Sequence, residues 1–268
     1  MSKRDHLKLM RTQDVNGNSV HRWKRDDADR KVDVPRGVEP TVSLPSAPAR
    51  QGDQEAVTNE RMFLMPEIDG KEIGAVQCFS ISDSMKDRLS ARGKGFPDTM
   101  YEIEGRDGAE AYHDRIAEVA SSSRFGAAVD VPSADDLESD SHRMFMSEDG
   151  TCGFVLKRDE DSESGEHDNI VGVFAGEGSP KRVADSMLLS AVAQGGKRLD
   201  CYDTILPKLY SGVGFRETER WQWDDQYKPD SWDYDTFSDY NGGRPDVVFM
   251  SFDKSASPYF DEKAAKTG

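Results

Sequence analysis

The segment LDCYDTILPKLYSGVGF, residues 199–215, sets Asp203 and Tyr210 seven residues apart across a strand-to-helix turn. A tyrosine hydroxyl beside a reacting centre can donate a proton, and a carboxylate can accept one or orient a water, so the pair offers acid–base chemistry. Each residue also has an ordinary use. A tyrosine on a short helix at a sheet edge packs its ring and leaves its hydroxyl wet, and an aspartate just past a strand caps the next helix or turns the chain. A second stretch, FAGEGSPKR (174–182), leads from a strand into a strongly apolar helix. Backbone N–H groups around Gly176, Gly178 and Ser179, backed by Lys181 and Arg182, can hold a pyrophosphate at a helix N-terminus, or can simply make a well-capped turn.

These residues need a scaffold, and the pattern of apolar residues supplies one. In SPKRVADSMLLSAVAQGG (179–196), Ser179 suits an N-cap, Pro180 the first helical position and Gly195-Gly196 the exit, while Val183, Met187 and Ala191 fall in one row. Upstream, HRMFMS (142–147) turns at Asp149-Gly150 into CGFVLKR (152–158), and NIVGVFAG (169–176) completes an antiparallel meander, with AAVDV (127–131) as a short strand before it. Asp107 caps a helix through about Ser122, with Tyr112, Ile116, Val119 and Ala120 on one face. A hairpin around Asp69-Gly70 is expected within 61–81, and 82–106 has no clear period. After residue 196 come the strand KRLDCYDT, the helix LPKLYSG closed by Gly212, and the strands ETERWQW and PDVVFMSFD. The order helix, meander, helix, strand, helix, two strands predicts an α+β fold, a mixed and mostly antiparallel sheet with helices on both faces.

Charge and composition narrow the function classes. The 268 residues hold 51 acidic against 35 basic side chains, a net −16, which repels phosphate backbones and disfavours nucleic acid as a partner. Cys78, Cys152 and Cys201 are far apart and form no CxxC spacing, and the five histidines are scattered, so free thiols and no metal site are expected. No apolar run approaches the roughly 20 residues of a membrane span, which predicts a cytosolic protein. Residues 1–37 carry a net +4, leaving −20 on the rest. This basic stretch includes an Asn-Gly hairpin candidate and leads into a linker marked by Pro35, Pro40, Pro45 and Pro48, so it reads as an extended N-terminal arm. The expected division is arm and linker at 1–50, an extension with the hairpin at 51–106, and the principal domain at 107–268.

From about 107 to 253 the chain resembles the GNAT (N-acetyltransferase) superfamily, and within it GNAT-like proteins encoded by bacteriophages and prophages. The resemblance rests on LPKLYSGVGFRETER, which is similar to the family's short helix, Tyr and Gly-Phe segment, and on SWDYDTFSDYNGGRPDVVFM, similar to the closing segment of the phage group. It implies a GNAT-like sheet and a site for acetyl-CoA. Tyr210 stands where the family keeps the general acid toward the departing thiolate. Asp203 stands where many members contact the pantetheine arm, and here it could also act as a base or water-orienter. Backbone groups of Val171, Val173 and Phe174 would pair with that arm, and Gly176, Gly178, Ser179, Lys181 and Arg182 would meet the pyrophosphate. The acceptor would be a small-molecule or protein amine under the loop 224–244, lined by Trp232, Tyr234, Phe237 and Tyr240 or else anchored by them. The departure is PKRVADS, with Val183 and Asp185 where the family's phosphate loop has small residues. A β-branched side chain and a carboxylate both oppose an approaching anion, so the resemblance also admits a catalytically inactive GNAT-fold virion or host-interaction protein whose arm joins phage structural proteins. The location it implies is the host cytoplasm or the phage virion.

Overall fold

The computed structural model describes residues 66–158 and 166–260, together with the strand backbones at 7–13, 19–25 and 57–60. The Pro-rich linker expected at 34–50 and the acidic stretch 159–165 lie outside the described residues. The chain divides into two units, Met1–Gly52 and Asp53–Gly268. In the first, β1 (Leu7–Gln13) and β2 (Ser19–Arg25) pair antiparallel, from Leu7 opposite Arg25 to Gln13 opposite Ser19, as the hairpin expectation has it.

The second unit runs through β3 (Val57–Glu60), β4 (Glu67–Ile68), β5 (Lys71–Glu72), β6 (Ala75–Ile81), α1 (Asp83–Ser90), β7 (Met100–Ile103), α2 (Gly105–Ser122) and α3 (Ala134–Leu137). It continues with β8 (His142–Ser147), β9 (Cys152–Arg158), β10 (His167–Ala175), α4 (Ala184–Ala193), β11 (Arg198–Tyr202), α5 (Leu206–Val213), β12 (Phe215–Trp221) and β13 (Val247–Phe252). Nine strands form one sheet in the order β12-β13-β11-β10-β9-β8-β7-β6-β3. All neighbours are antiparallel except β10 and β11, which are parallel. The fold is therefore α+β with a mixed, mostly antiparallel sheet.

Strands buried on both faces explain why β8 and β9 read as near-continuous apolar runs. Phe145, Phe154 and Leu156 face a core with Met85 and Leu89 of α1, Met187, Leu188 and Ala191 of α4 and Val213 of α5. Met144, Met146 and Val155, the alternate positions, face Ala109, Tyr112 and Ile116 of α2 and Leu137 of α3. Helices thus cover both sides, and the sheet is the partition between two cores.

Several expectations need correction. The strand placed at 127–131 is absent: Gly126 donates to the Ser123 carbonyl at 3.1 Å and Ala128 to Phe125 at 3.0 Å, folding the backbone into a 3₁₀ turn. Its two alanines give little reason to extend instead. The stretch 82–106 holds α1 and β7; α1 was illegible because only Met85 and Leu89 of its eight residues are buried. Nothing divides the fold at 106/107, since β7 pairs with β8 and β6 with β7 in the same sheet. The hairpin at Asp69-Gly70 is real but spans only β4 and β5, with both turn residues at positive φ, 54° and 76°.

The principal helix also starts late. Ser179 does not cap it and Pro180 is not in it; residues 181–183 form a turn with Arg182 at φ 58°, and α4 begins at Ala184. The N–H of Gly95 binds the Lys181 carbonyl at 2.8 Å and so holds that carbonyl out of a helical ladder. Helix α5 runs past Gly212 and ends at Gly214, whose φ of 126° and contact with Ser257, 2.7 Å from where a Cβ would sit, both require glycine.

Candidate functional site

The parallel pair inside the sheet is barely a pair. Strands β10 and β11 meet at a single register position, Asn169 opposite Arg198, next to a bond from the Lys197 N–H to the Asp168 carbonyl at 2.8 Å. Beyond it β10 stays with β9 as far as Ala175, and β11 stays with β13 as far as Tyr202. The two strands part there and leave a fork. A bulge lies where they separate: Val171 is opposite Val155 and Phe174 opposite Gly153, so β10 carries one extra residue between them. Gly172 adopts φ 59°, and its carbonyl accepts the Tyr112 hydroxyl of α2 at 2.7 Å. A bulge bends its strand and frees backbone groups from the ladder. The glycine inside NIVGVF was the sequence signal for it.

Helix α5 brings Tyr210 to the α4 side of this fork, half-buried in the core that also holds Val173, Cys201 and Leu206. Burial first, then the neighbouring Cys201 and Asp200, raises the phenol well above its ordinary value, so the hydroxyl keeps its proton at neutral pH. Among the described residues nothing hydrogen-bonds to that hydroxyl. The thiol of Cys201 is pushed up to about 12 by burial first, then by Asp200 and Asp203, which leaves it protonated and a poor nucleophile.

Asp203 lies elsewhere in the chemistry. Its carboxylate pairs with Arg220, whose guanidinium also grips Glu217 at 2.8 and 2.9 Å and lies 3.6 Å from Asp246. Its N–H donates to the Asp246 carbonyl at 2.7 Å. The residue ties the end of β11 to β12 and the start of β13, a structural duty. The structure does not bring its carboxylate and the Tyr210 hydroxyl into a hydrogen bond.

The other half of the expected site is the entrance to α4, and there the chain satisfies itself. The Gly176 N–H binds the Thr151 carbonyl at 2.8 Å, and the Ser179 N–H binds Gly176 at 3.3 Å, so two expected phosphate donors are already engaged. Gly178, Lys181 and Arg182 are exposed. Asp185, in the first turn of α4, is buried, yet both its oxygens are occupied: Lys94 donates to Oδ1 at 2.7 Å and the Tyr259 hydroxyl to Oδ2 at 2.6 Å. Tyr259 is itself held, its carbonyl by Arg88 and its ring under Arg92 at 5.1 Å, while Arg92 also donates to the Pro258 carbonyl at 3.1 Å. Lys94 and Tyr259 are 91 and 74 residues from Asp185, which no local sequence signal could reveal. The far end of α4 is closed as firmly. Gly195 turns at φ 111°, the Gly196 N–H binds Ala191 at 2.8 Å, and Arg143 donates to the Gln194 carbonyl at 3.1 Å while pairing with Glu102 at 2.7 and 2.9 Å. A carboxylate at the N-terminus and a guanidinium at the C-terminus both complement the helix dipole.

The aromatic residues of the 224–244 loop are anchors. Trp232 and Phe237 are buried and stacked, 3.8 Å apart at 10°, with the Trp232 indole N–H on the Gly243 carbonyl at 2.9 Å and its ring 4.9 Å from Tyr202. Tyr240 lies 6.2 Å from Phe125, just past α2, and Tyr234 donates to Asp225 at 2.8 Å. Packing, the plainer of the two expectations, is what these rings do.

Among the described residues no group of three or more His, Cys, Asp or Glu side chains is gathered to hold a metal ion, and no helix is long and apolar enough to cross a membrane. No protein-family model matches the chain, and no curated protein matches it significantly.

Proposed function

We propose that the fork between β10 and β11 takes the thin arm of an acyl thioester of the coenzyme A kind, and that the protein is a GNAT-like N-acyltransferase acting on an amine. The observation that carries this reading is the parting of the two strands after one register position, which leaves strand-edge backbone inside the sheet with no strand opposite it among the described residues. Such groups want a ligand with amides of its own, bound as an added strand. The backbone of Val171, Val173 and Phe174 would supply that edge, the Gly172 carbonyl being taken by Tyr112. Supporting it are the strand order, with one parallel pair inside an antiparallel sheet, and the sequence resemblance around Tyr210.

The thioester supplies an activated acyl carbon. An amine nitrogen bonds to that carbon as the carbon–sulfur bond breaks; Tyr210 gives its proton to the leaving sulfur, and the nitrogen's surplus proton passes to water. Asp203 is committed to Arg220, so water is the better acceptor. Positioning and one proton transfer suffice for this chemistry. Calorimetry with acetyl-CoA and with S-acetyl-pantetheine tests the reading. Heat of binding from either supports it, and silence from both at millimolar ligand sinks it.

One observation favours a second reading. The chain fills the entrance of α4 with its own charges, as a domain that no longer binds a nucleotide would. On that reading the protein is an inert GNAT-like fold, and its basic arm joins it to a phage assembly. The same silence in calorimetry is its expected outcome.

A further inference from the structure

We infer that the thioester site recognises the pantetheine arm and not the nucleotide diphosphate, so that its substrates are acyl groups carried on pantetheine in any form, with or without the adenosine end. This rests on the proposed thioester site and narrows its substrate class. Two sets of polar groups contrast, those of the fork and those at the first turn of α4, eleven residues apart from Phe174 to Asp185. At the fork, the β10–β11 ladder stops at Asn169 opposite Arg198, and the Tyr210 hydroxyl has no hydrogen-bond partner among the described residues. At the first turn of α4, where a diphosphate would gain from helix N–H groups, the resident anion is already present: the Asp185 carboxylate, ion-paired with Lys94 and hydrogen-bonded by the Tyr259 hydroxyl.

A diphosphate arriving there would meet a buried carboxylate and would have to displace an ammonium and a phenol from it. It would also find two of the turn's N–H groups engaged, those of Gly176 and Ser179. The neighbouring surface adds to the mismatch. An open cavity of about 280 Å³ beside Pro180 is lined by Asp98, Glu148 and Asp149 as well as by Phe96 and Thr99. Three carboxylates around that opening repel phosphate. The exposed Lys181 and Arg182 can offer only a screened, solvated attraction.

The test is a pair of dissociation constants on the full-length protein, for acetyl-CoA and for S-acetyl-pantetheine at the same ionic strength. The expected ratio is within about threefold. A site that used the diphosphate through two charge-assisted hydrogen bonds would favour acetyl-CoA by about 100-fold or more. A preference of that size would overturn this inference while leaving the thioester site standing; absence of binding by both would overturn the site as well. Asp185→Asn sharpens the result, because it keeps the side-chain shape and an acceptor for Tyr259 while releasing Lys94. With the fold checked by thermal melting, the variant is expected to shift the ratio toward acetyl-CoA by about tenfold, and an unchanged ratio would count against Asp185 as the resident anion.

Discussion

The β10–β11 fork and the entrance to α4 are built on opposite principles. Along the fork the parallel pair stops after one position, and the protonated Tyr210 hydroxyl has no hydrogen-bond partner among the described residues. At the α4 entrance every oxygen of the one buried carboxylate is matched, by groups drawn from the loop after α1 and from the last described turn of the chain. A folded protein gains nothing from unmatched polar groups in a sheet interior, and leaving them unmatched costs stability. Self-satisfied groups contribute stability but have nothing left for a ligand. The difference separates a candidate binding edge from a piece of architecture.

The contrast predicts that substitutions in the two regions fail in different ways. The largest stability loss is expected from Asp185→Ala, which strands Lys94 and Tyr259 together at a helix N-terminus. Breaking a buried ion pair by removing one partner costs about 3 kcal/mol or more. Denaturant midpoints would show it, and a loss under about 1 kcal/mol would mean that the entrance is looser than its hydrogen bonds imply. Tyr210→Phe should do the reverse. Its hydroxyl has no hydrogen-bond partner to lose among the described residues, so stability should stay within about 0.5 kcal/mol, while turnover with an acetyl thioester should fall by about 100-fold for loss of a general acid. Equal stability and equal turnover would leave the hydroxyl idle. Tyr259→Phe lies between these: it removes one hydrogen bond to a charged carboxylate, expected to cost about 2 kcal/mol, and it should not touch turnover with S-acetyl-pantetheine.

How much of this was legible depended on the range of the interaction. The meander β8–β9–β10, the exit of α4 at Gly195-Gly196 and the Pro207 start of α5 are local patterns, and the structure has them. The start of α4 was misplaced because Ser179-Pro180 is a good cap in isolation, and what overrides it is Gly95, a backbone donor more than eighty residues away. Helix α1 and strand β7 were invisible because one is mostly polar and the other is four residues long. The candidate site divides the same way. The short helix that carries Tyr210 follows from local sequence, and the chain's departure at Asp185 is visible there as an ill-placed carboxylate. Its purpose is not, since Lys94 and Tyr259 reach it only through the tertiary fold. The spacing leaves Asp203 open to a chemical or a structural use, since its partner Arg220 on β12 is not encoded in that spacing.

The self-satisfied region should also be acid-labile. Asp149, in the β8–β9 turn beside the entrance, is pushed upward by burial, but the Ser147 hydroxyl at 2.7 Å and the Thr151 N–H and hydroxyl at 3.1 and 2.8 Å outweigh that and leave its carboxyl below the ordinary value. A carboxyl depressed in the folded state contributes stability above the unfolded value of about 4 and loses it as pH falls through the folded value. Asp149→Asn should therefore flatten the acid limb of a stability–pH curve below about pH 4. An unchanged limb would mean that the turn gives no more than a solvated loop would.

The smallest effect is the one that isolates the revised role of Asp203. Its ion pair with Arg220 is partly exposed on both sides, 40% and 35%, and shares the guanidinium with Glu217, so Asp203→Asn should cost less than about 1 kcal/mol. If the pair is purely structural, Asp203→Asn and Arg220→Met should lower stability non-additively, with the coupling lost as salt rises, and turnover should be unchanged in both. A base would behave differently. Asp203→Asn would then slow turnover and remove the acidic limb of its pH profile, whereas Arg220→Met, which frees the carboxylate, would not. The double-mutant cycle thus separates a strut from a proton acceptor even though the two roles would look alike in a single melting curve.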